Sequence, residues 1–427
     1  MGDATHYALR ITHSSKPMRV LFLINWFPPD VAGGAEISLY HTALALLRRG
    51  VSGSLLSVTT RLAVDADEWY HVDYLPVHRV RLRTHWPWQE LFDPRVYATV
   101  RRELRATQPD LVHIHNVSGA SLAPFVACRH AGVPVVSTLH DLWLLCPNNM
   151  RYRADGTFCD PRQFPDGCGR CFRRYDYWAA IPRRRQFFQA LTSNVRRFLS
   201  PSQALIERHV ETGYARARFQ LVPYGFPEPP IGEPSHLLVR KILQTAPAQP
   251  TVVFAGGGTE HKGAQVVLNA LPLLRKRLPT LRVVVAGGGE QRYLEQFQAL
   301  APTVLTLGPV PFGDMRALFA AADLGLVASV WHENSPLVVY ENFQCGTPVV
   351  GSATGGTPEL IDEGQTGYLF PSGDAAALTE KIVQHFAKSP VERRRMRQRC
   401  VQTVRTRLGL AAHVEAHLAV YGEIVGS

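Results

Sequence analysis

No apolar run in this 427-residue chain approaches the roughly 20 residues that a membrane-spanning helix needs, so no such helix is expected. Residues 1–17 lack an apolar h-region, so a secretory signal is not expected either. The folded part is expected to begin near Met18 or Arg19, after a loose tail over 1–17. Seven cysteines without a signal then point to a reducing, cytoplasmic setting. No aromatic-rich module accompanies the arginines, which argues against a nucleic-acid partner. The glycine-rich turns lack an acidic residue about 20 positions further on at a strand end, so neither reads as a dinucleotide fingerprint.

What is present suits a globular protein of two or three domains. Hydrophobic residues make up 46% and charged residues 19%, enough to bury a sizeable core. Charge is uneven. Residues 1–227 hold 28 Lys+Arg against 18 Asp+Glu, whereas 228–427 hold 18 against 17. Arg173-Arg174, Arg183-Arg184-Arg185 and Arg196-Arg197 concentrate the excess. Two readings stay open for it: a solvated basic face, or contact with an anionic membrane surface or acidic glycan, at ~1 kcal/mol per basic residue near a leaflet.

Two strand–helix alternations follow one another, the signature of parallel doubly wound sheets. In the first, strands are expected at 18–25, 53–59, 77–82, 111–115, 133–139 and 198–200, with helices over 35–49, 93–107 and 121–131. Four prolines within 227–234 mark a linker. In the second, strands are expected at 251–255, 281–286, 304–308, 324–328 and 348–352, with helices over 264–278, 291–300, 315–322 and 336–345. The cleft at the carboxyl ends of two such sheets is where ligands are expected.

The segment Trp331–Asn342 carries the most information. Ser335 reads as an N-cap and Pro336 as the first helical residue. The backbone N–H groups between Glu333 and Glu341 would then form a diphosphate site at a positive helix end. Glu333 before the helix and Glu341 within it suit hydroxyls rather than phosphates, Glu333 on a transferred sugar and Glu341 on a ribose. The alternative is two surface carboxylates with ordinary capping. Gly256-Gly257-Gly258 ends a strand and leads to Lys262, a point charge for phosphate. Gly287-Gly288-Gly289 repeats the theme. Each turn is weak evidence alone; with Glu333 and Glu341 they outline a nucleotide-diphosphate cradle. In the first half, Gly33-Gly34 precedes a helix and its amides could face a phosphate or an acceptor, or merely serve the turn. His140 follows a strand and faces the same cleft, although a lone histidine is more often structural.

On these motifs the chain resembles a family 4 glycosyltransferase over nearly its whole length. The likeness is carried by Gly33–Glu36, His140-Asp141, Ser200–Gln203, Val222–Gly225, Lys262-Gly263, Gly287–Glu290, Glu333-x7-Glu341, Gly346–Val350 and Gly355-Gly356-x-x-Glu359. The resemblance implies a GT-B fold, two Rossmann-like domains facing across a cleft. It also implies a nucleotide-diphosphate-sugar donor, retention of anomeric configuration and no essential catalytic divalent metal. His140, Lys262 and Glu333 become the expected catalytic residues. Gly33, Gly34, Gly256, Gly257, Lys262, Glu333, Asn334, Ser335, Pro336, Leu337 and Glu341 become the expected donor contacts. The acceptor domain is placed at 18–227 with a returning helix at 408–427, and the donor domain at 228–407. A glycan or lipid-linked acceptor at the inner membrane face, in polysaccharide or glycolipid synthesis, fits the basic first half.

One position departs from the family pattern: Gly257 stands where an arginine usually pairs with the diphosphate. Losing one charge-assisted contact is worth about 1.5–3 kcal/mol. Cys146, Cys159, Cys168 and Cys171 lie within 26 residues of one another and end in Cys-x-x-Cys, spacing that suits a structural zinc site; disulfides, iron–sulfur ligation or unliganded thiols are the alternatives. This four-cysteine insert, 146–171, is expected to shape the acceptor entrance. Two other functions stay open: a sugar-nucleotide epimerase or phosphorylase on the same fold, and a non-catalytic donor-binding relative. The Glu-x7-Glu motif and the lack of a lysine suited to pyridoxal phosphate favour transfer over the first. Intact His140, Lys262, Glu333 and Glu341 argue against the second.

Overall fold

The computed structural model describes residues 16–30, 33–84, 91–153, 156–159, 168, 171, 181–227 and 249–426. The proline-rich linker from 228, Arg173-Arg174 and part of the cysteine-rich insert (154–155, 160–167, 169 and 170) lie outside these residues. Two α/β sheets face each other across a cleft, the GT-B arrangement expected from the sequence.

The first sheet has eight strands: β1 (Arg19–Ile24), β2 (Ser52–Leu62), β3 (Ala66–Val72), β4 (Leu75–Arg83), β5 (Leu111–Ile114), β6 (Val135–Thr138), β7 (Val195–Ser200) and β8 (Phe219–Leu221). Their order is β3-β4-β2-β1-β5-β6-β7-β8, parallel except for the β3–β4 pair. Strand β1 is central, with Val20 between Gly53 and Leu111, and five of its six residues are buried. A continuous Val/Leu/Ile run is what a parallel strand covered on both faces requires. Helices α1 (Gly34–Arg48), α2 (Pro94–Thr107), α3 (Ala123–Ala131), α4 (Ile181–Leu191) and α5 (Gln203–Val210) join the strands. Asp93 starts α2 by accepting from the Arg95 amide, with Pro94 at the first helical position, and Gln108 ends it in the left-handed region.

The second sheet is wholly parallel, in the order β11-β10-β9-β12-β13-β14. Its strands are β9 (Thr251–Phe254), β10 (Arg282–Ala286), β11 (Val304–Gly308), β12 (Leu324–Val327), β13 (Val349–Ser352) and β14 (Gly367–Phe370). The helices are α6 (Ala264–Arg277), α7 (Gln291–Gln298), α8 (Phe312–Ala321), α9 (Leu337–Gln344), α10 (Thr357–Leu360), α11 (Ala375–Ala387) and α12 (Pro390–Arg407). A last helix, α13 (Leu410–Val425), returns to the first lobe. There His413 Nε2 meets Thr42 Oγ1 of α1 at 2.9 Å, and the Tyr421 hydroxyl meets His113 Nδ1 at 2.6 Å. Among the described residues no helix is long and apolar enough to cross a membrane.

Two expectations are corrected. Helix α9 begins one residue later than its sequence suggests: Pro336 is the extended N-cap, and the Ser335 hydroxyl pairs with the Tyr340 hydroxyl at 2.8 Å instead of capping. Arg184 is not part of a basic face. It is buried, donates to the Leu144 and Trp143 carbonyls, and packs its guanidinium 3.7 Å from the Phe188 ring centroid.

Candidate active site

The carboxyl ends of both sheets open into one cavity of about 510 Å³. From the second lobe, β9 leads to Gly256 and Lys262, β12 leads to Ser329, Trp331 and Glu333, and the start of α9 contributes residues 334–338. Glu333 is held hard. Its Oε1 accepts from Lys262 Nζ at 2.7 Å, Ser329 Oγ at 2.6 Å and Trp331 Nε1 at 2.9 Å. Burial opposes its charge, but Lys262 and these donors outweigh burial and keep the carboxyl below its ordinary range. All three bonds fall on one oxygen, so among the described residues Oε2 is left for hydroxyls in the cavity. The first turn of α9 brings a positive helix end to the same wall.

From the first lobe come Gly33, Gly34 and Glu36 at the start of α1, Asn116 and Ser118 after β5, and His140 and Asp141 after β6. The Gly33 amide donates to Glu36 Oε2 at 2.7 Å, so it is already occupied. Gly34 sits against the second lobe: a Cβ there would lie 2.7 Å from Leu337 Cδ1. His140 uses both ring nitrogens within the protein, Nε2 to His115 Nδ1 at 2.9 Å and Nδ1 to the Tyr224 hydroxyl at 2.8 Å. Burial pushes its pKa down to about 3, so the ring is neutral at physiological pH. What it gives the cavity is an uncharged ring face and edge, held in place.

The lobes are clasped at two points beside the cavity. Asn334 Nδ2 donates to the His140 carbonyl at 2.8 Å. Glu359 accepts from the Gln203 and Ala204 amides at 2.7 and 2.8 Å, so the glutamate of the Gly-Gly-x-x-Glu motif caps α5 of the opposite lobe.

Two expected donor contacts sit differently. Gly257 does not open toward a ligand. Its φ of +59° and amide bond to the Ala286 carbonyl at 3.0 Å zip the two triple-glycine turns together. The Gly258 amide continues the pairing to the Gly288 carbonyl at 3.0 Å. A Cβ at 257 would come 1.8 Å from the Gly288 carbonyl oxygen, so the family's usual arginine cannot stand there on this backbone. Glu341 is not on the wall of the cavity. It sits on α9, where burial raises its pKa to about 7 and Arg316 offsets part of that rise.

Cys146, Cys159, Cys168 and Cys171 form no disulfide. Burial, then the neighbouring Cys146, Cys159 and Cys171, push the Cys168 thiol up to about 12. Among the described residues no group of three or more His, Cys, Asp or Glu side chains is arranged to hold a metal ion. The insert does reach the second lobe: Phe158 lies with its ring centroid 4.2 Å from that of His332.

Trp26, Asn116, Ser118 and Asn149, none of them among the expected site residues, also line the cavity, as does Tyr224 of the Val222–Gly225 motif. Asn116 and Ser118 had a usable signal, because they follow the carboxyl end of a central parallel strand.

Two family models match the chain, Glycosyltransferase Family 4 over residues 32–228 and Glycosyl transferases group 1 over 249–388. A D-inositol 3-phosphate glycosyltransferase of Pseudarthrobacter chlorophenolicus is 27% identical over 366 residues, 81% of this chain and 80% of that one. A phosphatidyl-myo-inositol mannosyltransferase of Mycobacterium leprae is 31% identical over 135 residues, so the chain matches only 36% of that relative's length. Among solved structures, a sucrose-phosphate synthase of Thermosynechococcus elongatus superposes with a TM-score of 0.72 at 19% identity, covering 96% of this chain and 99% of that one. Anabaena HepE in complex with UDP-glucose superposes with a TM-score of 0.69 at 19% identity, covering 95% of this chain and all of that one.

Proposed function

We propose that this chain, a glycosyltransferase of the GT-B fold, moves a hexose-type sugar from a nucleotide diphosphate to a glycan or lipid-linked acceptor with retention of configuration. The observation that carries the reading is the Lys262–Glu333 pair at 2.7 Å beside the first turn of α9. Lys262 and the helix end suit a diphosphate, and Glu333 Oε2 suits a hydroxyl of the transferred sugar. Gly256, Asn334, Ser335, Pro336 and Leu337 shape the donor site, and Glu341, off the cavity wall, keeps the ribose role on its motif spacing alone. Lys262 counters the charge that builds on the leaving phosphate. That phosphate takes the proton of the incoming hydroxyl as the sugar passes through an oxocarbenium-like state. The protein then contributes positioning and charge stabilisation rather than a strong base, in keeping with a neutral His140.

Work in cell-surface polysaccharide or glycolipid synthesis, at the inner face of a membrane, is supported by the basic excess in residues 1–227. A structural zinc at Cys146, Cys159, Cys168 and Cys171 stays in the proposal on sequence spacing alone, and metal analysis finding none removes it. The donor reading is tested with Glu333→Gln. Nucleotide binding should persist while turnover falls about 10²–10³-fold, the usual loss for one preorganised electrostatic contact. A fully active variant takes Glu333 out of the site.

A further inference from the structure

The residues on either side of Glu333 both touch the opposite lobe. After it, Asn334 donates to the His140 carbonyl at 2.8 Å. Before it, His332 packs its ring on Phe158 of the cysteine insert, with centroids 4.2 Å and planes 30° apart. His332 is also tied within its own lobe, where Nδ1 lies 3.3 Å from Thr354 Oγ1. The loop carrying Thr354 is joined to the Glu333 backbone, since the Gly356 amide donates to the Glu333 carbonyl at 2.7 Å. A Cβ at Gly355 would come 2.0 Å from that same carbonyl oxygen, so the two loops meet without slack. A displacement of His332 is therefore passed to Glu333. Phe158 itself is held on a fixed arm. Tyr152 and Phe158 pair as an antiparallel bridge, the Arg153 amide donates to the Thr157 carbonyl at 2.9 Å, and the Cys159 amide donates to the Arg151 carbonyl at 2.8 Å. The Tyr152 ring meets the Phe158 ring edge-on at 5.7 Å. Arg151 anchors the arm to the first lobe through Glu211, at 3.6 Å, just past α5. Phe158 is 43% exposed, so it is not a core residue of the insert.

We infer that the Phe158–His332 pair is an interlobe latch through which the cysteine insert of the first lobe positions Glu333 for the donor sugar. Phe158 is a positioning residue: it does not line the cavity and acts through His332. The groups that suit the diphosphate, Lys262 and the first turn of α9, belong to the second lobe and do not need the latch. Glu333 does, because the chain on both sides of it is fixed against the first lobe. Closing the cleft and aligning the sugar carboxylate are then one event. The inference rests on the donor reading above. It gives the insert a task on the donor side of the cleft, besides the acceptor entrance that its place in the sequence suggests.

The test is calorimetric titration of the full chain with whichever of UDP-glucose, UDP-galactose and GDP-mannose raises its melting temperature most, and with the matching free nucleotide diphosphate. The ratio of the two dissociation constants reads the sugar contact. Phe158→Ala should lower the preference for the intact donor about threefold to tenfold, the range of one aromatic contact, with nucleotide diphosphate affinity kept within about twofold. His332→Ala should do the same from the other side of the contact, and the double variant should be no worse than either single one. Phe158→Tyr should keep the preference. On a Glu333→Gln background Phe158→Ala should have no further effect, because the latch works through that carboxylate. An unchanged preference in Phe158→Ala, an equal loss for donor and nucleotide, or additive effects of the two alanines overturns the inference while leaving the donor reading standing. Binding of no donor, or a preference untouched by Glu333→Gln, overturns the donor reading, and this inference with it.

Discussion

Acidification from pH 7 to pH 5 should strongly destabilise the first lobe together with α13. His113, His115, His140, His413 and His417 form one buried cluster that joins the cavity to the returning helix. His113 and His115 have ring centroids 4.1 Å apart, and His413 and His417 4.3 Å apart. Their hydrogen-bond partners are hydroxyls, carbonyls and each other, as in His113 Nε2 to Thr138 Oγ1 at 2.8 Å and His413 Nδ1 to the Pro223 carbonyl at 2.7 Å. Burial pushes His140 down to about 3 and His417 to about 4, and takes His113, His115 and His413 well below 6.5. An imidazole neutral in the folded chain but titrating near 6.5 when unfolded adds stability above pH 6.5 and loses it as pH falls toward the folded value. At pH 5 the loss is about 2 kcal/mol per group, from ~1.4 kcal/mol per pH unit. His140 and His417 alone then account for about 4 kcal/mol, a large share of a domain's stability, and His113, His115 and His413 act in the same direction. The assay is a urea midpoint followed by circular dichroism at half-unit steps from pH 8 to pH 5. Its slope reports the protons taken up on unfolding and should reach several, with His417→Leu removing one. A midpoint flat from pH 7 to pH 5, or a slope below one proton, would refute this account of the cluster.

Other substitutions probe the donor lobe and the clasp. Gly257→Arg, which restores the family's usual residue, should lower stability by about 2 kcal/mol or more rather than tighten donor binding. It forces a side chain into a left-handed position facing the Gly288 carbonyl, and a thermal melt with and without donor reads both effects. Glu341 carries a carboxyl raised to about 7, so donor affinity should climb about tenfold from pH 6 to pH 8, with Glu341→Gln flattening the profile. Calorimetric titration at the two pH values decides it. Glu359→Ala removes the acceptor for the Gln203 and Ala204 amides of α5, with Ser202 left as its N-cap, and should cost about 1 kcal/mol, with the lobes loosened enough to raise the radius of gyration in small-angle scattering.

The alternation of apolar runs and helical stretches was enough to recover both sheets. Strands such as β1 and β9 are buried on both faces and so carry no polar interruption. Strand β3 escaped because Ala66–Val72 is a largely exposed edge with only Tyr70 and Val72 against the core, held by antiparallel pairing to β4. Strand β14 escaped because it is four residues long and begins at Gly367, where a Cβ would lie 1.9 Å from the Val349 carbonyl oxygen. Within the site, Lys262 and Glu333 could be nominated from spacing, but their contact could not, since it closes across 71 positions. The pairing of the two glycine turns was hidden for the same reason: each turn reads as open to a ligand until the other is placed beside it. The first-lobe wall of the cavity was least legible, because Trp26, Ser118, Asp141 and Asn149 come from three separate loops and form no local motif.

The central claim, retaining transfer from a nucleotide sugar, is tested most directly by the configuration of the sugar that the protein releases. With an α-linked donor that stabilises the fold, slow hydrolysis in deuterated water is followed by proton NMR faster than mutarotation. The account predicts that the α anomer appears first, with no added divalent metal. Release of the β anomer first, or no release from any donor that binds, would contradict it.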